Sequence, residues 1–434
     1  MKKIFKGKKV LVMGLGLNGG GVGVAKFFCK QGAEVLVTDL KTEEKLKESL
    51  QKLKDCKKIK YALGGHREAD FINADLIIKN PDVPPTSPYL EIAKRHNIAV
   101  ETDVSLFFKL SNSFIIGITG TKGKSTTSSL IYHILKSKFK RTFLAGNIGV
   151  SPLELLPNVK KGDKVVLELS SFELEDTKQS PNIAVITNIL PDHLNRYGTM
   201  EEYINTKKII FKYQTSKDVL VLNAEDPTTK EFVKEAASRV VLFSRPLAKP
   251  KNFQLFGEHN LYNLAAATEV AKVLEIQQKD IDKVLKAFKG VSNRQEFVRE
   301  LNGVKYFNDT TATMPDAVIA AIKTFSQEFS NGRLILICGG QNKGLEYEEL
   351  AEEIKKNVDA IVMLPGTASE RIEKLLGIEK INGVSSMQEA VAMAQKLAKP
   401  GDVVVLSPAA ASFNLFKNEF DRGNQFVEAV KKLK

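Results

Sequence analysis

Two stretches of this sequence have the residue types and spacing to hold phosphate. The run Thr119-Gly120-Thr121-Lys122-Gly123-Lys124-Ser125-Thr126-Thr127 follows an apolar segment, Phe114–Ile118. It precedes Ile131, Ile134 and Leu135, which recur at helical spacing. Backbone N–H groups of such a loop wrap phosphate oxygens. Lys124 neutralises the β- and γ-phosphates, and the Ser125 hydroxyl is placed to bind Mg²⁺. The strict pattern G-x-x-x-x-G-K-[ST] needs glycine at 118, where this chain has Ile118, so the match is to the shorter G-T-x-G-K-S-T form. The other stretch is Gly14-Leu15-Gly16-Leu17-Asn18-Gly19-Gly20, directly after Val10–Met13. Here G-x-G-x-x-G lets the backbone turn tightly and approach a diphosphate at a helix N-terminus. Asp39, 20 residues beyond Gly19, could accept hydrogen bonds from a ribose or a base. This motif reads as a dinucleotide or nucleoside-diphosphate site; a tight turn with no ligand is the alternative.

Further candidates follow the second loop. The apolar run Lys164–Leu167 leads into Glu168, where a P-loop domain carries an acidic Mg²⁺ ligand at the end of a neighbouring strand. A surface acid is the competing reading. Ile183–Asn188 leads to Pro191-Asp192-His193-Leu194, which puts His193 in an equivalent place after another strand. That position suggests a second metal site, although a lone histidine is more often structural. Lys207, in Asn205-Thr206-Lys207-Lys208, reads from the residues alone as a surface helix lysine.

The elements that must position these residues alternate β-branched runs with helical periodicity. This predicts α/β layers with mostly parallel sheets. Three blocks emerge. Strands are expected near Lys9–Met13, Glu34–Thr38 and Asp75–Ile78. The second block has Phe114–Ile118, Lys164–Leu167, Ile183–Asn188, Asp218–Leu222 and Arg239–Phe243. The third has Val304–Phe307, Leu334–Cys338, Ala360–Leu364 and Val403–Ser407. A chain of 434 residues agrees with about three domains of roughly 150 residues each. Boundaries are expected near Ser111-Asn112-Ser113 and Gly290, dividing the chain into 1–111, 112–290 and 291–434.

Composition excludes other classes. The chain is 43% hydrophobic and 26% charged, which rules out a largely disordered chain or a small disulfide-stapled scaffold. Cys29, Cys56 and Cys338 are far apart and show no metal-ligand spacing. The apolar run Val10–Met13 is too short for a signal segment or a membrane span, so a cytoplasmic protein is expected. A net charge of +13 favours anionic partners, or simply a lysine-rich solvated surface.

Taken in order along the chain, these motifs resemble the Mur ligase family. The resemblance rests on the two glycine loops, Gly146-Asn147-Ile148-Gly149, Leu167-Glu168-Leu169-Ser170-Ser171-Phe172 and Asp192-His193-Leu194. It continues in His259-Asn260, Asn308-Asp309, Gly339-Gly340, Leu406-Ser407-Pro408-Ala409, Ser412-Phe413, Phe416-Lys417 and Arg422-Gly423. It implies three domains: a Rossmann-like N-terminal domain for a UDP-sugar, a central ATPase domain, and a Rossmann-like C-terminal domain for an amino acid.

The activity implied is ATP-dependent amide formation through an acyl phosphate. ATP and two Mg²⁺ ions are the implied cofactors. Serine at Ser125, where later-acting relatives carry threonine, points to UDP-N-acetylmuramoyl-L-alanine and D-glutamate as substrates. The resemblance further implies a monomer with no nucleic-acid partner and no membrane insertion. Lys124, His193 and Lys207 become the implied catalytic set. Metal would be held by Ser125, Glu168, His193 and, once carbamylated, Lys207. Gly120, Thr121, Lys122, Gly123, Lys124, Ser125, Thr126, Asn263, Arg294 and Asp309 are implied for ATP, with closure of the third domain over the nucleotide. Leu17, Asn18, Asp39, Asn147 and Ser170 are implied for the UDP-substrate, and Thr313, Lys343 and Ser412 for glutamate. The chain departs from the family pattern at Thr311, at Glu173 (glutamine elsewhere) and at Asn418-Glu419-Phe420, which bears on amino-acid choice more than on the reaction.

Three other readings compete. One is a related ligase with another acceptor or amino acid. Another is an NAD-dependent oxidoreductase, which would leave the P-loop idle. The last is a nucleic-acid-stimulated NTPase, for which no aromatic-basic stacking surface stands out.

Overall fold

Three sheets carry the chain in the computed structural model, which describes residues 3–17, 19–377, 384–412 and 415–434. The first sheet contains β1 (Lys9–Met13), β2 (Glu34–Asp39), β3 (Lys60–Leu63), β4 (Leu76–Lys79) and β5 (Ala99–Glu101), all parallel, in the order β3-β2-β1-β4-β5. The second contains β6 (Phe114–Thr119), β7 (Thr142–Gly146), β8 (Lys164–Glu168), β9 (Ile183–Ile186), β10 (Val219–Asn223) and β11 (Arg239–Phe243), again all parallel, in the order β11-β10-β9-β6-β8-β7. The third contains β12 (Glu296–Leu301), β13 (Val304–Asn308), β14 (Leu334–Gly339), β15 (Ala360–Leu364) and β16 (Val403–Leu406), in the order β12-β13-β16-β14-β15 with β12 antiparallel.

The inner strands are continuous apolar runs because helices cover both faces of a parallel sheet. Every residue of β9, Ile183–Ile186, is buried. Every expected strand is present. The four that the residue pattern did not reveal, β3, β5, β7 and β12, all lie at sheet edges.

The chain divides into two compact units, Met1–Lys249 with Leu261–Val284, and Pro250–Asn260 with Leu285–Lys434. The first two sheets belong to one unit because a continuous core links them. It runs from Val10 and Phe28 through Val104 and Phe107 to Ile115, Leu167 and Leu220. In the other unit, separate apolar clusters cover the third sheet, one around Phe307, Phe325 and Leu336, the other around Tyr306, Val404 and Phe426.

Strand order determines where a ligand can bind. β6 lies between β8 and β9, with Ile118 in register with Glu168 on one side and Thr119 with Ile186 on the other. β1 similarly lies between β2 and β4. Loops leaving the carboxyl ends at such points diverge and open a crevice. Both glycine-rich loops leave their sheets there.

Candidate active site

The phosphate loop joins β6 to helix Lys124–Lys138. Gly123 is the N-cap, at φ 84°, and no side chain caps the helix. Its first-turn N–H groups and the positive end of its dipole therefore remain available to an anion. Gly123 is required by space as well as by backbone angle: a Cβ there would meet Asn263 Oδ1 at 2.3 Å. That same Oδ1 accepts from Thr127 Oγ1 at 3.1 Å, so Asn263 braces the loop and helix from outside. From below, Thr121 N donates to Asn188 O (2.9 Å), Lys122 N to Asn188 Oδ1 (2.9 Å), and Thr187 Oγ1 to Lys122 O (2.7 Å). Lys124 folds back onto the loop, donating to Gly120 O at 3.1 Å and Thr121 O at 3.0 Å. Ser125 and Thr126 are half-buried in the first helical turn, and Lys122 is exposed.

Lys207 overturns the surface reading. It is 1% exposed on helix Met200–Lys212, and its Nζ donates to Thr119 Oγ1 and to Gly120 O, each at 3.0 Å. Burial, and then the charge of Lys124, hold its amine well below the usual lysine range. Glu168, 1% exposed at the end of β8, accepts from Asn147 Nδ2 at 3.2 Å. His193 has left-handed backbone, φ 54°, and its ring lies 4.9 Å from that of Phe172 and 6.4 Å from that of Tyr203. Burial lowers the His193 pKa. Asp192 opposes this, while Lys207, Lys124 and Lys122 add to it. The ring is neutral at neutral pH, the form that can ligate a metal.

The donor set suits a hard divalent ion: a serine hydroxyl, a buried carboxylate and a neutral imidazole. Among the described residues no three His, Cys, Asp or Glu side chains stand together as a ready metal cage. A metal here would draw on phosphate oxygens to complete its coordination.

Two contiguous cavities open at the first sheet, and one of them reaches this centre. One, of about 310 Å³, is lined by Gly14, Leu17 and Asn80 from the first block and by Asn147, Ser170 and His193 from the second. The other, of about 570 Å³, is lined by Asp39, Lys41, His66, Pro84 and Tyr89, and shares Gly14, Gly16, Asn80 and Asp82 with the first. Asp39 also shapes the loop itself: its carboxylate accepts from Gly16 N at 3.0 Å and from Lys41 N at 2.8 Å. Asn18 lies outside the described residues.

The residues pattern-reading missed are the braces. Arg196 donates to the carbonyls of Pro81 (3.1 Å) and Asp82 (3.0 Å), pairs with Glu175 at 2.7 Å, and lies 4.1 Å above the Phe172 ring. Lys79, 2% exposed, pairs with Asp176 at 2.7 Å. Asp103 and Glu173 are buried in the wall of the smaller cavity. Burial, then the Asp103 charge, push Glu173 up to about 8. Among these, Arg196 lay three residues after His193, and Glu173 already stood out as a departure from the family pattern.

In the second unit, Asp309 is buried just beyond β13. It accepts from Gln295 N at 3.1 Å and Ser407 Oγ at 2.9 Å, and burial pushes it up to about 7. The Arg294 charge opposes that rise. Ser412 is buried, Thr313 half-buried and Lys343 exposed. Phe413 lies outside the described residues.

A phosphate loop leaving one parallel strand, a buried acid at the end of the next, and a neutral histidine after a third define a nucleotide-dependent α/β enzyme. Comparison with known families makes this specific. Residues 8–102 match the Mur ligase MurD-like N-terminal domain, 118–251 the Mur ligase middle domain, and 293–410 the Mur ligase glutamate ligase domain. The chain belongs to the Mur ligase family. It is 40% identical to the UDP-N-acetylmuramoylalanine–D-glutamate ligase of Roseiflexus sp. (strain RS-1), covering 98% of each chain. It is 39% identical to the ligase of that name from Clostridioides difficile (strain 630), covering 99% of each. Among solved structures, its fold is like that of UDP-N-acetylmuramate–alanine ligase MurC from Thermotoga maritima, with a TM-score of 0.65, 21% identity, and coverage of 98% of this chain and 100% of that one. It is also like MurF ligase from Thermotoga maritima in complex with ADP, with a TM-score of 0.60, 18% identity, and coverage of 100% and 97%.

Proposed function

We infer that this chain is an ATP-dependent amide-forming ligase that adds D-glutamate to UDP-N-acetylmuramoyl-L-alanine in peptidoglycan precursor synthesis. One observation carries the chemistry. The cavity that starts at the Gly14 loop ends at Asn147, Ser170 and His193, and Asn147 donates to Glu168, which stands in register with Ile118 on the strand that runs into the phosphate loop. A nucleoside-diphosphate substrate held by the first loop can therefore present its far end to a phosphoryl donor held by the second. Relatives near 40% identity over the whole chain support the choice of substrates.

A carboxylate is a poor acyl donor. Its oxygen attacks the γ-phosphorus of ATP, ADP departs, and an acyl phosphate remains. The glutamate amine then attacks the acyl carbon, inorganic phosphate leaves, and the amine loses a proton. Joining two anions demands charge neutralisation above all. Lys124 supplies it by swinging from the loop carbonyls onto the phosphates. Uncapped N–H groups at the start of helix Lys124–Lys138 bind the phosphate oxygens, with Gly120, Thr121, Lys122, Gly123, Ser125 and Thr126 forming the cradle. Asn263, Arg294 and Asp309 position the nucleotide.

Ser125 and Glu168 would hold the Mg²⁺ of ATP, and His193 with a carbamylated Lys207 a second. Bound there, such ions supply positive charge to the phosphate oxygens. The amine of Lys207, kept neutral by burial, can add CO₂ and release a proton, turning a cation into an anionic oxygen ligand. Leu17, Asn18, Asp39, Asn147 and Ser170 serve the nucleotide-sugar, and Thr313, Lys343 and Ser412 the glutamate. Among the described residues no helix is long and apolar enough to cross a membrane. The reaction is assigned to the cytoplasm and to a monomer without nucleic acid.

The decisive experiment labels the substrate carboxylate with ¹⁸O and follows it during turnover with ATP, Mg²⁺ and D-glutamate. One label should reach the liberated phosphate, and the product mass should report one added glutamate. Label-free phosphate would exclude the acyl-phosphate route.

A further inference from the structure

Arg422 carries its charge without an ion pair among the described residues, and the Glu419 charge opposes it only through space. Its side chain is fully buried near the start of helix Glu419–Lys432. Nε donates to Thr310 Oγ1 at 3.0 Å, one terminal nitrogen to Ala410 O at 3.1 Å, and the other to Thr310 O at 2.9 Å. All three acceptors are neutral, and among the described residues no carboxylate forms an ion pair with it. By contrast, the partly exposed Arg333 of the same unit has Asp402 at 2.7 Å. A buried guanidinium ordinarily meets a carboxylate, because desolvating the charge is costly. Burial draws the Arg422 pKa down to about 10, which leaves it charged at neutral pH.

The segments Arg422 ties together are those assigned to substrates. Ala410 lies two residues before Ser412, and Thr310 follows Asp309. Arg422 and Ser412, with Gly339 and Gly340, line a cavity of only about 10 Å³, which leaves no room for a carboxylate. The Arg422 charge nevertheless reaches Lys343, whose pKa it lowers. The N-terminus of the Arg422 helix adds partial positive charge of the same sign. Glu419, half-buried, is the acid that opposes them.

We propose that Arg422 is a specificity-determining residue whose buried charge, held without an ion pair and summed with that of Lys343, selects an acceptor amino acid bearing a second carboxylate over a neutral one. Arg422 acts through its field and the loops it holds, without touching the substrate. The incoming dicarboxylate adds a countercharge to that of Glu419, the acid that opposes Arg422 and Lys343 in the free protein. This rests on the ligase reading above. An effect of one charge at several ångströms inside protein corresponds to about a 10- to 100-fold preference.

The test compares full-length wild type, Arg422→Met and Arg422→Lys, with ATP and nucleotide-sugar saturating. It measures kcat/KM for D-glutamate and for its neutral isostere D-glutamine. Wild type should favour glutamate. Arg422→Met should shrink the glutamate-to-glutamine ratio by about 10- to 100-fold, chiefly through the KM for glutamate, with KM for ATP within about threefold. Arg422→Lys keeps the charge but cannot make all three hydrogen bonds, and should keep most of the ratio. Equal losses on both amino acids in Arg422→Met would reduce Arg422 to a tie between two loops and overturn the proposal. So would collapse of the ratio in Arg422→Lys, which decides the matter even where the methionine variant fails to fold. If wild type adds neither amino acid, the ligase reading itself falls, and this inference falls with it.

Discussion

Lys124 and Lys207 donate to the same acceptor, the carbonyl oxygen of Gly120, at 3.1 and 3.0 Å. Two ammonium groups so close repel each other. The one that is fully buried gives up its proton more readily, because desolvation and its neighbour's charge act in the same direction. The lysine proposed to bind phosphate therefore sits beside a lysine prepared to react as a free amine.

Carbamylation of Lys207 follows from this pair. Incubation with ¹³C-bicarbonate should give a carbamate resonance by NMR that disappears in Lys207→Ala, whose turnover should fall at least about 100-fold. Full activity in that variant would remove Lys207 from the mechanism.

Glu173 ties acidity to stability. Its folded pKa of about 8 lies above the ordinary carboxylate value of 4.5, so folding takes up a proton between these limits. The contribution is fully present below the lower value and is lost as pH rises through about 8. Melting temperature should therefore fall between pH 5 and pH 9 by a few degrees more in wild type than in Glu173→Gln. Glutamine keeps an acceptor for Ser170 N, which now donates to Glu173 at 2.7 Å, and should preserve activity. Parallel melting curves for the two proteins would contradict this account.

Gly123 leaves no room for change. A methyl group there would stand 2.3 Å from Asn263 Oδ1, on backbone at φ 84°. Gly123→Ala should weaken binding of a fluorescent ATP analogue about tenfold or more, with unchanged nucleotide-sugar binding in calorimetry. Unaltered ATP affinity would mean that the loop tolerates displacement.

Arg196 holds the loop after β4 against the segment that follows His193. Because Asp82 lines both cavities, loosening this loop should affect the nucleotide-sugar first. Arg196→Ala should raise KM for the nucleotide-sugar about 5- to 20-fold and leave KM for ATP within about twofold, as steady-state kinetics will show. Equal changes in both would point to general loosening instead.

The inner strands were legible because a strand buried on both faces must be apolar almost throughout, as Ile183–Ile186 is. Four of the six edge strands were not. β3 exposes Lys60 and Tyr61 and buries no residue fully, so its sequence resembles that of a loop. The antiparallel β12 likewise mixes exposed and half-buried residues. Single positions behaved in the same way. Gly120 to Ser125 stood out because backbone angle and helix start are local properties. Lys207 did not, since the burial that alters its chemistry comes from residues far away in the chain.

From its residues alone, this chain determined three α/β blocks and two glycine-rich loops, each placed at the end of an apolar strand. Those features depend on local periodicity and on what glycine permits. Tertiary structure alone decided that Lys207 would meet Lys124 at Gly120, that Arg196 would grip Pro81 and Asp82, and that Arg422 would be sealed away without an ion pair. Desolvation and charge act through space, and the partners that set them are brought together only when the sheets have packed.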